Sequence, residues 1–221
     1  MKKLHVTAMV CALLTGCSST PPPPDWKMNA VSLLEHYQAR WLEGNTKAAD
    51  LALDKSRSEI AKTGRLDLLA RLELAACGTR IAALEFTPCD KHVALATEAS
   101  PADQTYAQFL DGQWRNLDST RLPAHYTRLV SAKDDAAANQ AAQDIKDPLA
   151  RLIAAGLLLK QSRATPQTLT TAIDTASERG WQRPLLMWLK IEQQRAQNAG
   201  DQKSAHSLQR RIELTLGNLA P

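Results

Sequence analysis

The chain is short of several residue types. It has only 9 Gly and only 10 aromatic side chains (5 Trp, 3 Tyr, 2 Phe) in 221 residues. Collagen-like and Gly-rich low-complexity classes need far more glycine. Few β-branched and aromatic residues argue against a sandwich or barrel. Charge of one sign is also scarce. The formal net charge is +4, too small an excess for a dedicated nucleic-acid binder. The longest apolar runs fall well short of the roughly 20 residues a membrane-spanning helix needs. Motifs that announce chemistry are missing too. No Gly-x-Ser-x-Gly elbow, His-Glu-x-x-His, P-loop or Cys-x-x-Cys occurs. What is abundant is Ala (35) and Leu (32), roughly 30% of the chain. With 44% apolar residues, this composition excludes wholesale disorder and implies a helical body with one good core.

The N-terminus has its own grammar. Lys2 and Lys3 precede an apolar run from Leu4 to Leu14, then Thr15-Gly16-Cys17. A charged start, a short apolar stretch and small residues before a cleavage point form an export signal. Leu14-Thr15-Gly16-Cys17 resembles the lipobox of bacterial lipoproteins. That resemblance implies removal of residues 1–16 and acylation of Cys17 as the first mature residue and lipid anchor. Three acyl chains exceed the two-signal requirement for stable anchoring. Ser18 stands where that family's inner-membrane retention residue, Asp, would be, so the resemblance implies the periplasmic face of an outer membrane. Losing Lys2 and Lys3 lowers the formal charge from +4 to +2. Residues 17–25 read as the acylated cysteine and a proline-rich tether, whose eight residues 18–25, with four successive prolines at 21–24, span about 25 Å.

Residues 26–219 read as one α-helical domain. Apolar residues recur at steps of three and four, as in Ala30, Leu33, Leu34, Tyr37 and Trp41, or Ala70, Leu74, Cys77, Ile81 and Leu84. No segment sustains period-two alternation. Thr87-Pro88, Ser100-Pro101, Asp147-Pro148 and Thr165-Pro166 each place a capping side chain before proline at a first helical position. Gly44-Asn45, Gly64 and Gly200-Asp201 mark helix–turn–helix breaks. The pattern implies nine or ten helices in irregular antiparallel hairpins, stacked as an α-solenoid or closed as a bundle. Gly44-Asn45-Thr46-Lys47-Ala48-Ala49 echoes Gly200-Asp201-Gln202-Lys203-Ser204-Ala205. This echo resembles tetratricopeptide-like repeat packing, although the offset is 156 residues and no regular repeat signature accompanies it. Residues 110–146 are the least legible; the Ala136–Ala142 stretch reads as an exposed helix or a docking surface.

Two cysteines remain after Cys11 and Cys17. In an exported protein Cys77 and Cys89 are expected to form a disulfide. The competing readings are a redox thiol at Cys89 and a metal half-site from Cys77, Cys89 and His92. Neither has the accompanying motif, and no metal or cofactor is implied. Glu35, Glu73 and Glu85 are the carboxylates beside apolar stripes, with Arg71 or Arg80 as expected partners for Glu73. Trp41, Trp181 and Trp188 read as core, Trp26 and Trp114 as candidate exposed anchors. Arg210-Arg211 reads as a solvated face. No catalytic residue is assigned. The expectation is a lipid-anchored, non-catalytic factor that binds an envelope protein, with no nucleic-acid partner. A cell-wall enzyme and a membrane–peptidoglycan linker are the alternatives, the latter with peptidoglycan as partner.

Overall fold

The computed structural model describes residues 22–217. The lipobox, Cys17 and residues 18–21 of the tether lie outside that range, as do residues 218–221. The described residues form an all-α domain without strands. The helices are α1 (Asp25–Leu42), α2 (Thr46–Ala61), α3 (Leu66–Ala82), α4 (Asp90–Val93), α5 (Pro101–Asp111) and α6 (Ala124–Val130). Then come α7 (Asp135–Gln143), α8 (Pro148–Lys160), α9 (Pro166–Glu178), α10 (Gln182–Asn198) and α11 (Gln202–Thr215). A 3-10 turn at Ser119–Arg121 precedes α6. The described residues thus hold eleven helices against the nine or ten expected, and the shortest are α4, α6 and α7. None of the described helices is long and apolar enough to cross a membrane.

Local sequence sets most helix starts. Ser100, Asp147 and Thr165 each accept a hydrogen bond from the backbone N–H three residues on, with proline at the first helical position. The two echoing segments are the turns of the two terminal hairpins, α1–α2 and α10–α11. Gly44 and Gly200 adopt φ of +93° and +74°, where a Cβ would be strained. Asn45 then caps α2 through Ala48, and Asp201 caps α11 through Ser204. The Thr87-Pro88 start is a correction. Thr87 caps nothing; the chain stays irregular through Cys89, which is itself the N-cap of α4. The physical reason is the tie between Cys89 and Cys77, which draws this segment back along α3.

α3 is the central element and is buried on more than one face. Leu74, Cys77 and Ile81 join the large core built with α5–α11, while Leu72 and Ala76 join a smaller core with α1 and α2. α8 packs directly on α3 and is buried along most of its length. The close approach requires Gly156, because a Cβ there would stand 2.7 Å from the Ile81 carbonyl oxygen. The packing neighbours run α1 to α3, α3 to α8, α8 to α9, α9 to α10, and α10 back to α1. The helices therefore close a circuit among themselves. Arg183, at the start of α10, fastens the closure. Its guanidinium donates to the Trp41 carbonyl (2.7 Å) and to Thr46 Oγ1 (2.6 Å), and lies 4.2 Å from the Trp41 ring centroid.

The Ala136–Ala142 stretch, expected to be an exposed helix or a docking surface, is a core helix. Ala138, Asn139, Ala141 and Ala142 are all buried. Small side chains let α7 approach α8 and α9, and Asn139 supplies the polar link. Its Nδ2 donates to the Asp135 and Arg163 carbonyls, and its Oδ1 accepts from Thr165 N and Thr168 Oγ1.

Tyr37 and Tyr126 are buried, and Tyr106 is partly so. Burial pushes Tyr37 and Tyr106 each up to about 12, and raises Tyr126 well above the ordinary phenol value. A raised folded-state value means the folded protein holds these protons after the unfolded chain has lost them. Stability is full below pH 10 and falls as pH rises from about 10 toward 12. Ultraviolet titration is expected to show no phenolate near pH 10 in the folded protein, and three ordinary phenols in guanidinium. Phenolate absorbance near pH 10 in folded protein would contradict this burial.

Candidate functional site

Among the concave surfaces on the N-terminal half, two use both helices of the α1–α2 hairpin together with α3. The first is a cleft of about 570 Å³ between the C-terminal end of α1, α2, α3 and the 87–92 segment. Its walls mix aromatic and charged side chains, among them Tyr37, Trp41, Arg57, Glu73 and Arg80. Glu73 is only 6% exposed and is held by Arg57 through two bonds, Nε to Oε1 at 2.6 Å and Nη2 to Oε2 at 2.9 Å. Asp54 takes Arg57 Nη1 at 2.6 Å. These contacts, the Glu73 bond first, raise the Arg57 pKa further above its ordinary value. The expected partners of Glu73, Arg71 and Arg80, are both corrected. Arg71 instead forks onto Asp103 of α5. The reason is that α2 lies across α3 at Glu73, so a cation from the neighbouring helix reaches it first.

Arg80 is left over. It forms no ion pair and donates no side-chain hydrogen bond among the described residues, and its Nε is buried without an acceptor. Trp41 Nε1, in the same cleft, is also buried without an acceptor. Unpaired buried donors are rare in folded proteins, and each costs about 1–3 kcal/mol.

Cys77 and Cys89 are joined in the structure, with Cα atoms 5.9 Å apart. Cys89 lines the cleft, and the link places the 87–92 segment over α3. His92 is buried. Its Nδ1 donates to the Ala70 carbonyl at 3.1 Å, so that nitrogen is occupied. Among the described residues no group of three or more His, Cys, Asp or Glu is arranged to hold a metal ion. Of the other carboxylates beside apolar stripes, Glu85 pairs with Arg183 at 3.4 Å and Glu35 is exposed.

The second surface is an apolar groove of about 200 Å³ along the N-terminal part of α1. Trp26, Val31, Leu34, Ile60, Leu68 and Leu72 line it. Lys27 and Arg71 also border it. Val31 (51% exposed) and Met28 (47%) sit open beside it. Trp26 is thus a half-exposed groove residue. Trp114 is instead packed: its ring stacks on Phe109 and its Nε1 donates to the Phe109 carbonyl at 2.9 Å. Trp188 is fully buried, Trp41 and Trp181 partly so. Arg210 and Arg211 are exposed on α11.

No known protein family, curated protein or solved structure matches this chain. The geometry therefore stands on its own. Neither the groove nor the unpaired donors of Arg80 and Trp41 is foreshadowed in the sequence pattern. Only Arg80's position, in the mostly apolar C-terminal half of α3, offers a signal.

Proposed function

We propose that this protein is an outer-membrane lipoprotein, anchored through Cys17 on the periplasmic face, whose helical body binds an envelope protein without catalysing a reaction. The observation that carries the binding reading is the apolar groove on α1, α2 and α3. Its floor is Leu34, Ile60, Leu68 and Leu72, and Val31 stands open at its edge. The groove starts one residue after the first residue of α1, directly behind the proline tether. A tethered body concentrates such a groove near membrane-bound partners.

The groove commits to an occupant by its chemistry. Apolar walls suit the apolar face of an amphipathic helix. Lys27 forms no ion pair among the described residues, and Arg71 adds a second cation although Asp103 engages it. The occupant is therefore a partner helix whose apolar face is flanked by Asp or Glu.

A benzophenone amino acid at position 31, introduced into the full-length protein in cells, tests the reading. The expected adduct maps to an apolar segment of one envelope protein flanked by carboxylates, and Leu68→Glu reduces its yield at least about tenfold. In the same cells Cys17→Ser releases the protein from the membrane fraction. Adducts only with lipid, with a second copy of this chain, or with nothing discrete overturn the binding reading. Retention of the Cys17→Ser variant in membranes overturns the anchor.

A further inference from the structure

The cleft at the other end of α1 shares no lining residue with the apolar groove, so a ligand held there is independent of whether that groove docks a partner. Its volume, about 570 Å³, lies within the range of small-ligand sites, roughly 300–1,000 Å³. Its charges are sorted. Arg57, Glu73 and Asp54 satisfy one another. Arg80 does not take part in that network and has no partner among the described residues. Neither do Asp50 and Asp90, exposed carboxylates on the same lining.

We propose that this cleft binds a short zwitterionic peptide. Arg80 holds its terminal carboxylate, Trp41 Nε1 donates to the same end, and Asp50 or Asp90 receives its ammonium group. A guanidinium presents two parallel N–H donors matched to a carboxylate, which a lysine cannot reproduce. Two buried donors without acceptors in one cleft are a stored cost that an incoming acceptor relieves. Both atoms belong to partly exposed residues, so reaching a ligand requires their side chains to turn toward the cleft. The half-buried Trp41 ring and the exposed Pro88 supply apolar surface for the peptide between its charged ends. A simple anion leaves Asp50 and Asp90 without a purpose and meets their repulsion; a zwitterion uses both signs. Lys91, exposed at the rim, is the competing anchor for the carboxylate.

Calorimetric titration of the purified full chain with trialanine, its C-terminal amide and its N-acetyl form tests the site. Trialanine is expected to bind, and the amide to bind at least about tenfold more weakly, as for the loss of one charge-assisted fork. N-acetylation weakens binding about threefold. Arg80→Gln abolishes the response, Arg80→Lys weakens it, and Lys91→Gln leaves it within about twofold. A parallel nitrogen–proton spectrum, with Trp41 assigned through Trp41→Phe, is expected to show its indole N–H moving on titration. The site is refuted by no binding of trialanine at millimolar concentration, by equal affinity for the amide, or by dependence on Lys91 rather than Arg80. The amide comparison uses the unsubstituted protein, so it decides the matter even where Arg80→Gln folds poorly.

Discussion

Asn139→Ala is expected to cost about 4 kcal/mol of unfolding free energy, the largest loss foreseen for a single side chain. Asn139 is 2% exposed and makes four hydrogen bonds, one within α7 and three to the 163–168 segment. Truncation leaves the Arg163 carbonyl and the Thr165 N–H without their side-chain partner. Each stranded group costs about 1–3 kcal/mol, more than the bond itself contributed. Two other contacts join α7 to this segment, Gln143 to Thr168 and the Asp135–Arg163 ion pair, and neither reaches the Arg163 carbonyl or the Thr165 N–H. Urea denaturation reads the effect as a lower midpoint at unchanged slope. Thr168→Val removes one of the four bonds and is expected to cost about 1 kcal/mol. Should Asn139→Ala cost no more than Thr168→Val, the amide does not join α7 to the 163–168 segment in the way described.

The second large effect sits where α3 meets α8. Gly156→Val is expected to cost about 3 kcal/mol and to lower the melting temperature by roughly 6–12 °C. The first added carbon would lie 2.7 Å from the Ile81 carbonyl oxygen and 3.3 Å from Ile81 Cγ2. The obstacle is backbone, so the helices themselves must separate. Gly78→Ala on the facing helix is a useful contrast. Its Cβ would meet the ends of side chains, Tyr106 Oη at 3.0 Å and Ile153 Cδ1 at 3.3 Å, which can move. That variant also gains helix propensity of about 1 kcal/mol. It is expected to be clearly milder. Equal melting temperatures for Gly156→Val and the unsubstituted protein would sink the close-packed α3–α8 contact.

Most of the secondary structure is legible in the sequence because it is written locally. A cap such as Ser100, Asp147 or Thr165 acts on the backbone three residues away, within the reach of sequence inspection. Thr87 has the same local pattern and fails, because the Cys77–Cys89 link decides the path of that segment. The Ala136–Ala142 stretch misleads for a related reason. Alanines give a shallow apolar face, and only the neighbouring helices show that Ala138 and Ala142 are buried. Cross-helix pairing is beyond reach. Glu73 has three cations available, and the choice of Arg57 depends on how α2 lies on α3. Arg183 and Trp41 are 142 residues apart. The cleft is invisible for the same reason, since its defining property is what Arg80 does not touch.

The return of α10 to α1 has a consequence for how the molecule comes apart. An open stack of hairpins can fray from either end, shedding one unit at a time, because each unit depends only on its neighbours. Here the two terminal hairpins brace each other through Arg183, Trp41 and Thr46. Neither end is a free end. Load entering the chain at Asp25 meets α10 as well as α2 and α3, so partial peeling gives way to a single cooperative transition.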